Sequence, residues 1–408
     1  MKVNVLRRKY PKFIYRNYDY KISGGDLKLS FFFGIPPDIK FCPRITVKNI
    51  PRTLLAGTRS VLNNLVFNVG LIEMPSYWKT TCSPKIIVEA GYLNKEQIKW
   101  WENLIIKGMG QFFYENKINW RSPNFLKITS IRHNYPMVEL RRMDTKLKNR
   151  YLVPFAGGRD SIITLEGLKK QKKDIALFTV NPVSKIQNAA KVSGIKKQIM
   201  IERTIDKKLL NLNGMGFLNG HTPFTALLSF LSVFCAVLFG YKNIAFSNEK
   251  SANEGNVRYL GRIINHQWSK SSEFEKMFRY YSQKYLVKNI NYFSYLRKCT
   301  DLEISKMFAQ YPKYFPVFSS CNVGRKTGAR WCGKCPKCLF VYLTLCPYLE
   351  KKELLKIFGE DLLQKSNLTP ILKGLIGQGS HKPFECVGTY AEAKKALNLC
   401  LKNSKIKK

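Results

Sequence analysis

The 408-residue chain is predicted to be an α/β protein: a parallel sheet with flanking helices, preceded by an N-terminal α+β domain and followed by a zinc-stapled C-terminal region. Three observations predict this arrangement. Apolar runs alternate with helical stretches between residues 150 and 250, aromatic and β-branched runs come before them, and a cysteine cluster comes after them. The predicted domains are residues 1–148, 149–315 and 316–408.

The N-terminal region has no regular alternation of elements. Its runs LKLSFFFGI and KIIVEAGYL are rich in aromatic and β-branched residues, which is typical of strands. Two stretches with helical spacing lie around Arg52–Phe67 and Asn94–Tyr114. We therefore expect an α+β domain, in which the substrate is recognised.

From Arg150 the pattern changes to strands that alternate with helices. The run YLVPFA leads into a glycine turn, and SIITLEGLKKQ then places Ile162, Leu165 and Leu168 on one helical face. This alternation predicts a parallel sheet that is covered on both sides and that binds ligands at the carboxyl ends of its strands. The polar residues at those ends are Gly157–Ser161, Asn181 and Ser247–Glu249.

The longest apolar run, Thr222–Phe239, approaches the about 20 residues that a membrane span requires. It contains Thr225, Ser229 and Ser232 and has no second span as a partner, so we expect a buried core helix and no membrane partner. The first residues, MKVNVLRRKYPKF, lack the apolar segment of a secretory signal. We therefore expect a cytoplasmic protein.

The charge is strongly basic, with 69 Lys and Arg against 27 Asp and Glu and a formal net charge of +42. Such an excess attracts nucleic acids, anionic membranes or polyanionic small substrates. The basic residues are spread along a chain that is also rich in Asn, Ile and Tyr, so compositional drift explains them equally well. The charge alone does not identify a partner.

The glycine turn is the first chemical signal. Gly157 and Gly158 lack Cβ atoms, so their amides can approach an anion, and the helix start that follows favours a phosphate. Asp160 beside phosphates would require Mg²⁺. Two glycines alone are more typical of a plain strand-to-helix turn. The whole segment FAGGRDS, however, resembles the SGGxDS loop of the N-type ATP pyrophosphatases, which cleave ATP to AMP and pyrophosphate, with Ala156 in place of the first serine.

Four cysteines with the spacing C-x10-C-x2-C-x2-C are the second signal. Four thiolates suit tetrahedral Zn²⁺, and a closed site of this kind is structural; the alternative is four buried free cysteines. The spacing also favours a reducing compartment. A similar arrangement occurs in 7-cyano-7-deazaguanine synthases, which share the glycine loop. Cys299 and Cys346 are expected to be packing residues. The predicted zinc ligands are Cys321, Cys332, Cys335 and Cys338.

Three polar runs supply further candidates: LNGHTPFTALLS, SNEKSANEGN and NHQWSKSSEFE. Any one of them alone is typical of a solvated loop. Together they flank apolar elements in a nucleotide-binding arrangement, and they contain His221 and His266, two of only four histidines. Histidine suits proton transfer near neutral pH.

The order of these motifs, together with ALFTVNP, YFSYLR, WCGKCPKCLFVYL and PFECVG, resembles the MurL family over roughly residues 150–390. The N-terminal third resembles it more loosely, through NYDY and GMGQFFYEN. The family comprises ATP-dependent UDP-N-acetyl-muramoyl-L-alanyl-L-glutamate epimerases of peptidoglycan precursor synthesis. The resemblance implies an adenine nucleotide alpha hydrolase-like domain, ATP, Mg²⁺ and structural Zn²⁺, and UDP-MurNAc-L-Ala-L-Glu as substrate. No stable nucleic-acid partner is expected, and the oligomeric state is left open.

The resemblance also implies roles for individual residues. Adenylation of the terminal carboxylate would acidify the α-proton of L-Glu, and reprotonation from the opposite face would give D-Glu. Asp160, with Glu249, would hold Mg²⁺. For Cys386, a buried structural cysteine is the alternative. The candidate catalytic residues are Asp160, His221, His266, Lys270 and Cys386. The candidate nucleotide-binding residues are Ala156, Gly157, Gly158, Arg159, Asp160, Ser161, Asn181, Ser247, Asn248 and Glu249.

Two other functions fit part of the sequence. One is a pyrophosphate-loop enzyme that adenylates a tRNA or a nucleobase, for which binding would weaken steeply with salt. The other is a non-catalytic zinc-containing nucleic-acid-binding protein, which would not form AMP. The runs between residues 247 and 275 and the PFECVG motif favour the epimerase.

Overall fold

The computed structural model describes residues 2–51, 59–131 and 147–406. These residues form thirteen strands and sixteen α-helices, numbered here in chain order. The strands are β1 (Lys12–Ser23), β2 (Asp26–Ile35), β3 (Ile39–Phe41), β4 (Arg44–Val47), β5 (Lys85–Val88), β6 (Lys127–Ser130), β7 (Lys148–Pro154), β8 (Ile175–Val180), β9 (Gln198–Thr204), β10 (Tyr241–Phe246), β11 (Val257–Tyr259), β12 (Arg262–Ile264) and β13 (Asn291–Ser294). The helices are α1 (Val3–Lys9), α2 (Arg59–Glu73), α3 (Pro75–Trp78), α4 (Lys95–Gly108), α5 (Gly110–Glu115), α6 (Arg159–Lys170), α7 (Ser184–Ser193), α8 (Lys207–Gly214), α9 (Phe224–Phe239), α10 (Ser272–Tyr281), α11 (Asp301–Phe308), α12 (Asn322–Thr327), α13 (Pro336–Leu345), α14 (Lys351–Phe358), α15 (Thr369–Leu375) and α16 (Tyr390–Ile406).

One mixed sheet organises the described part of the chain, in the order β13-β10-β7-β8-β9-β4-β2-β1-β5-β6, with β3 paired to β2. Neighbours among β13, β10, β7, β8 and β9 are parallel, as predicted for this part of the chain. The helices α6 and α9 pack against β7 and β10. Strand β4 pairs antiparallel with β9 and joins the N-terminal strands to the parallel ones. The N-terminal region therefore shares one sheet with the central region, and the boundary at residue 148 stays a prediction.

The strand order reverses direction at β7. Strands β8 and β9 lie on one side of it, whereas β10 lies on the other side. At such a switch point the loops that leave the two carboxyl ends diverge and open a crevice. The glycine turn follows β7, and Ser247 follows β10, which ends at Phe246.

The long apolar run folds into α9, which is buried over most of its length and ends at Gly240 with φ +73°. The prediction of a core helix is confirmed. Among the residues that the structure describes, no helix has both the length and the apolar character that crossing a bilayer requires.

The two helices predicted in the N-terminal region are present with changed bounds. Helix α2 covers the second half of the first prediction, and residues 52–58 lie outside the described residues. The second prediction is divided into α4 and α5 at Met109. Helix α4 begins at a capping box in which Asn94 and Gln97 satisfy each other's backbone N–H groups.

The C-terminal helices pack on the central strands around a second apolar core. Cys299 packs against this core, as predicted. Cys346 packs against it as well, and it also forms a disulfide with Cys400 that the sequence analysis did not predict; this disulfide ties the end of α13 to α16, with a Cα–Cα distance of 5.4 Å. Sequence spacing did not reveal this pair, since 54 residues separate the two cysteines.

Candidate active site

A cavity of 280 Å³ opens at the switch point, between the ends of β7 and β10 and the C-terminal helices. Phe178, Val180, Leu228 and Phe246 contribute an apolar wall, and the opposite side is polar. An apolar wall with a few convergent polar groups is typical of small-molecule sites. The predicted site residues that line the cavity are Ala156, Gly158, Asp160, Ser161, Ser247, Asn248, Lys270, Cys321 and Cys386.

The glycine turn is constrained by its backbone conformation at Gly157 and by a close contact at Gly158. Gly157 has φ +70°, and a Cβ atom there would lie 3.4 Å from the Ala189 Cβ. A Cβ atom on Gly158 would lie 3.0 Å from the Ser320 Oγ. Gly158 is also the N-cap of α6, whose first N–H groups have no side-chain cap. The turn therefore fits a pyrophosphate or phosphate held by backbone amides.

Arg159 lies behind this turn rather than in the cavity. Its side chain is 1% exposed, and its guanidinium donates to the Asp160 Oδ1 at 3.0 Å, to Asp301 and to two hydroxyls of α11 and α13. Every face of the guanidinium is thus used inside the protein. The backbone of Arg159 stays close to the phosphate position, while its side chain fixes the orientation of Asp160.

Asp160 and Glu249 bring two carboxylates together from the ends of β7 and β10. Burial raises the pKa of Asp160, but the charges of Arg159, Lys337 and Lys270 outweigh it, and the net shift is downward. Burial raises the pKa of Glu249 to about 7; Lys270 opposes this shift, and the Asp160 carboxylate adds to it. The Glu249 Oε2 is buried and has no hydrogen-bond partner among the described residues. An ionised carboxylate beside one with an unpartnered oxygen fits the oxygen donor set of Mg²⁺.

Two lysines complete the polar side of the cavity. Burial lowers the pKa of Lys270, but the charges of Cys386, Glu249 and Asp160 raise it by more than burial lowers it. The net shift is therefore upward, and the side chain stays charged. Lys337, at the start of α13, is 8% exposed, and its ammonium donates to the Cys386 carbonyl oxygen. Two cations beside a glycine turn, one buried and one half-buried, fit a polyphosphate.

Cys386 lies beside Lys270 and His266. Its sulfur interacts electrostatically with Lys270 and thereby raises the pKa of that lysine, and its Sγ is 3.9 Å from the His266 Nε2. The other nitrogen of His266, Nδ1, is 2.5 Å from the Gln111 Oε1, and the ring centroid of His221 is 4.5 Å away. Mainly through burial, the pKa of His266 is lowered to about 4 and that of His221 to about 3. Both imidazoles are therefore neutral near pH 7, beside a sulfur atom that faces a cation.

The remaining predicted nucleotide-binding residues occupy different places. The Ser247 Oγ is buried without a partner among the described residues and lies at the cavity. Asn248 also lines the cavity, and its amide donates to the Ser294 Oγ at 3.0 Å. Asn181 lies outside the cavity, because its amide exchanges hydrogen bonds with the backbone of Arg203 on β9. Its left-handed backbone, with φ +47°, marks a turn rather than a ligand contact.

The four predicted zinc ligands come together next to the cavity, and their ligand atoms lie within 4.8 Å of one another. Adjacent Sγ atoms are 3.5, 3.7 and 3.8 Å apart. Four thiolates at the Zn–S distance of about 2.3 Å span tetrahedral edges of about 3.8 Å. The arrangement therefore fits a zinc ion closely. The contacting pairs are Cys321–Cys335 at 3.8 Å, Cys332–Cys338 at 3.7 Å and Cys335–Cys338 at 3.5 Å.

Several residues of the site were not identified from the sequence. Lys337 stands between Cys335 and Cys338, and Ser320 immediately precedes Cys321. Gln111 and Lys79 come from the N-terminal region. Only the fold brings Lys337 and Ser320 to the cavity, Gln111 to His266 and Lys79 to Gly220.

Comparison with known proteins identifies two family models. The model described as the MurL N-terminal domain matches residues 4–295, and the model described as the MurL C-terminal domain matches residues 317–408. Together the two models match nearly the whole chain.

Three curated relatives carry the name UDP-N-acetyl-alpha-D-muramoyl-L-alanyl-L-glutamate epimerase. The protein from Salinispora tropica is 32% identical over 97% of this chain and 86% of its own length. The protein from a Micromonospora species is 32% identical over 97% of this chain and 88% of its own length. The protein from Xanthomonas oryzae pv. oryzae is 31% identical over 86% of this chain and 78% of its own length.

A solved structure described as a predicted subunit of a tRNA methyltransferase, from Methanocaldococcus jannaschii, covers 45% of this chain and 89% of its own, with a TM-score of 0.25 and 15% identity. A similarity of this size supports no argument about function. The family models and the three relatives are similar along nearly the whole chain and agree with one another. The chain therefore belongs to the MurL family.

Proposed function

We propose that this protein inverts the terminal L-Glu of UDP-MurNAc-L-Ala-L-Glu to D-Glu at the expense of ATP, in the cytoplasmic synthesis of peptidoglycan precursors. The names of its relatives support this substrate. The observation that carries the proposal is one cavity whose lining combines the glycine turn, Asp160 and Lys270 with Cys386, whose sulfur lies 3.9 Å from His266. A site that only adenylated a substrate would have no use for the cysteine and the histidine.

The chemistry explains why ATP is needed. Removing the α-proton from an amino acid with an ionised carboxylate would build up a dianion. We propose that a carboxylate oxygen of the terminal glutamate attacks the α-phosphorus of ATP and that pyrophosphate leaves. The α-proton of the resulting acyl adenylate then moves to a side-chain base, and another proton reaches the opposite face. Water finally hydrolyses the mixed anhydride, so that the products are the D-Glu dipeptide, AMP and pyrophosphate.

The polar side of the cavity suits the first step. We assign the pyrophosphate to the backbone amides around Gly157 and Gly158, the hydroxyl of Ser161 and the ammonium groups of Lys270 and Lys337. The apolar wall suits the adenine ring. The Arg159 side chain points into the protein and not into the cavity, and it donates to Asp160. We therefore assign Arg159 a positioning role, in which it orients Asp160.

Mg²⁺ fits the carboxylates of Asp160 and Glu249. When bound, it would neutralise phosphate charge and thereby favour departure of pyrophosphate. Without it, the ammonium groups of Lys270 and Lys337 compensate the charge of the buried Glu249 carboxylate only in part, because the net pKa shift is upward. Asp160 and Glu249 would therefore orient the polyphosphate only when both carboxyl groups are ionised.

Cys386 is our candidate for one of the two proton transfers. Its sulfur lines the cavity and lies 3.9 Å from the His266 Nε2, so that a proton can move between the substrate, the sulfur and the imidazole. Inversion requires a second group on the opposite face of the α-carbon. His221, His266 and Lys270 are the candidates for it, and the neutral imidazoles are able to accept as well as donate.

The domain assignment completes the proposal. Residues 1–148 would recognise the dipeptide and sugar, residues 149–315 would bind ATP, and residues 316–408 would supply Lys337 and Cys386. In this scheme Zn²⁺ is structural and holds the C-terminal region against the glycine turn.

The test is incubation of the purified protein with UDP-MurNAc-L-Ala-L-Glu, ATP and Mg²⁺, followed by chiral analysis of the glutamate and quantitation of AMP. We expect D-Glu and AMP to accumulate together. Asp160→Asn should abolish both, because it removes a magnesium ligand. AMP without D-Glu would retain adenylation and refute epimerisation, whereas D-Glu without AMP would refute adenylation.

A further inference from the structure

Lys79 is a buried cation without a counterion among the described residues. It is 9% exposed and lies at the end of α3, in a segment whose other side chains are mostly buried. Its ammonium donates to the Asn219 Oδ1 at 2.7 Å and to the Gly220 carbonyl oxygen at 2.8 Å. An ammonium has three donors, and no carboxylate of the described residues forms an ion pair with it. A buried ammonium in this state is costly unless an anion joins it.

A second group with unused hydrogen-bonding capacity lies beside Lys79. The Nδ1 of His221 is buried and has no hydrogen-bond partner among the described residues. Lys79 lies beside it, because its ammonium donates to the carbonyl oxygen of Gly220, the residue that directly precedes His221. Two buried groups with unused hydrogen-bonding capacity therefore face one region, next to the exposed Asn219.

This region is connected to the reacting centre through three side chains. The His221 ring lies against that of His266, and the Nε2 of His266 is 3.9 Å from the Cys386 Sγ. An extended glutamate side chain places its γ-carboxylate oxygens about 5 Å from its α-carbon. A glutamate whose α-carbon lies near Cys386 can therefore extend its γ-carboxylate towards His221 and Lys79.

We propose that Lys79, with His221, forms a subsite for the γ-carboxylate of the glutamyl substrate. This inference rests on the proposed function, in which only the α-carboxylate is adenylated and the γ-carboxylate keeps its charge. The subsite makes Lys79 a specificity-determining residue: it distinguishes a terminal glutamate from the neutral and nearly isosteric glutamine. The ammonium would use its third donor on the carboxylate, and the Asn219 and Gly220 contacts would hold it in place.

The test compares the wild-type protein and Lys79→Met with two substrates, UDP-MurNAc-L-Ala-L-Glu and UDP-MurNAc-L-Ala-L-Gln. The measured quantity is kcat/KM for AMP formation in the presence of Mg²⁺. We expect the wild-type protein to prefer the glutamyl substrate by about 100-fold, as for a desolvated hydrogen-bonded charge pair. In Lys79→Met this ratio should fall to a few-fold, because only the charged substrate loses a partner.

A matched control is Lys382→Met. Lys382 is also a buried lysine, 1% exposed, but its ammonium pairs with Glu254 at 3.2 Å inside the protein. Its loss should affect both substrates alike and leave the ratio unchanged. If thermal denaturation shows that Lys79→Met is not folded, Lys79→Gln gives the same comparison, because its amide can still donate to Gly220.

The outcomes separate the two proposals. If Lys79→Met or Lys79→Gln weakens activity equally towards both substrates, Lys79 is only structural and the subsite is refuted. If the wild-type protein does not discriminate between the substrates, the subsite is refuted as well. If the wild-type protein forms neither AMP nor D-Glu from the glutamyl substrate, the proposed function itself fails.

Discussion

Glu249 allows a prediction in which a substitution at the site stabilises the protein. Its side chain is 4% exposed, and its Oε2 has no partner among the described residues. Replacing it with Gln removes a buried charge and keeps the shape of the side chain. We therefore expect Glu249→Gln to raise the free energy of unfolding in the absence of Mg²⁺ while it abolishes AMP formation.

The magnitude follows from the pKa shift. The pKa of Glu249 rises from 4.5 to about 7 in the folded protein. A carboxyl group with a raised folded-state pKa costs nothing below pH 4.5, and its cost grows as the pH rises through 7. At pH 8 the full shift corresponds to about 3 kcal/mol, and at pH 5 to less than about 1 kcal/mol. Removing the carboxylate should therefore stabilise the protein by up to about 3 kcal/mol at pH 8 and much less at pH 5.

The assay is urea unfolding of the wild-type protein and Glu249→Gln in EDTA, at pH 5 and pH 8. Glu275→Gln is the control, because Glu275 is also buried but is paired with Arg279 and Arg297, so its loss should destabilise the protein. Added Mg²⁺ should stabilise the wild-type protein only. Equal stability of Glu249→Gln and wild type at pH 8 would refute the reasoning, since the ionised carboxylate would then carry no cost.

Two further predictions concern the cysteines. Cys386→Ala should keep AMP formation within about tenfold but abolish both D-Glu formation and solvent deuterium incorporation at the α-carbon, an effect typical of a lost proton-transfer group; retained deuterium incorporation would exclude Cys386 as that group. Cys332→Ser should lower the zinc content, measured by atomic absorption, and lower the melting temperature, because metal binding contributes to folding; a variant with unchanged zinc and unchanged melting temperature would exclude the four-cysteine site.

The parallel part of the sheet and its ligand-binding edge could be predicted from the sequence because both depend on local patterns. Alternating apolar runs indicate strands and helices, and the polar residues that follow Pro154 and Phe246 then fall at adjacent strand ends. The same local logic placed the zinc cysteines, whose spacing is set by two tight turns. Asn181 satisfied this logic too, but its strand, β8, lies beyond β7 from the switch point, and its amide is used by β9.

The contributions of distant segments could not be predicted in this way. Lys79 reaches the site because α3 packs beside the turn at Asn219, a contact across 140 residues. The orientation of Arg159 depends on Asp301 and on hydroxyls of α11 and α13, none of which has a sequence signature. The motif predicts that the Arg159 side chain contacts the nucleotide, whereas tertiary packing turns this side chain towards the protein interior.

The position of the zinc cluster links the stability of the C-terminal region to catalysis. Cys321 lines the cavity itself, and the neighbouring Ser319 donates its N–H to the Gly157 carbonyl oxygen at 3.1 Å. Lys337, two residues after Cys335, donates to the backbone of Cys386. Loosening the cluster would therefore displace a wall of the glycine turn, a cation and the thiol at once. A zinc ion held by the four cysteines would therefore be coupled to the site without taking part in the chemistry, and its loss should impair ATP cleavage and proton exchange together.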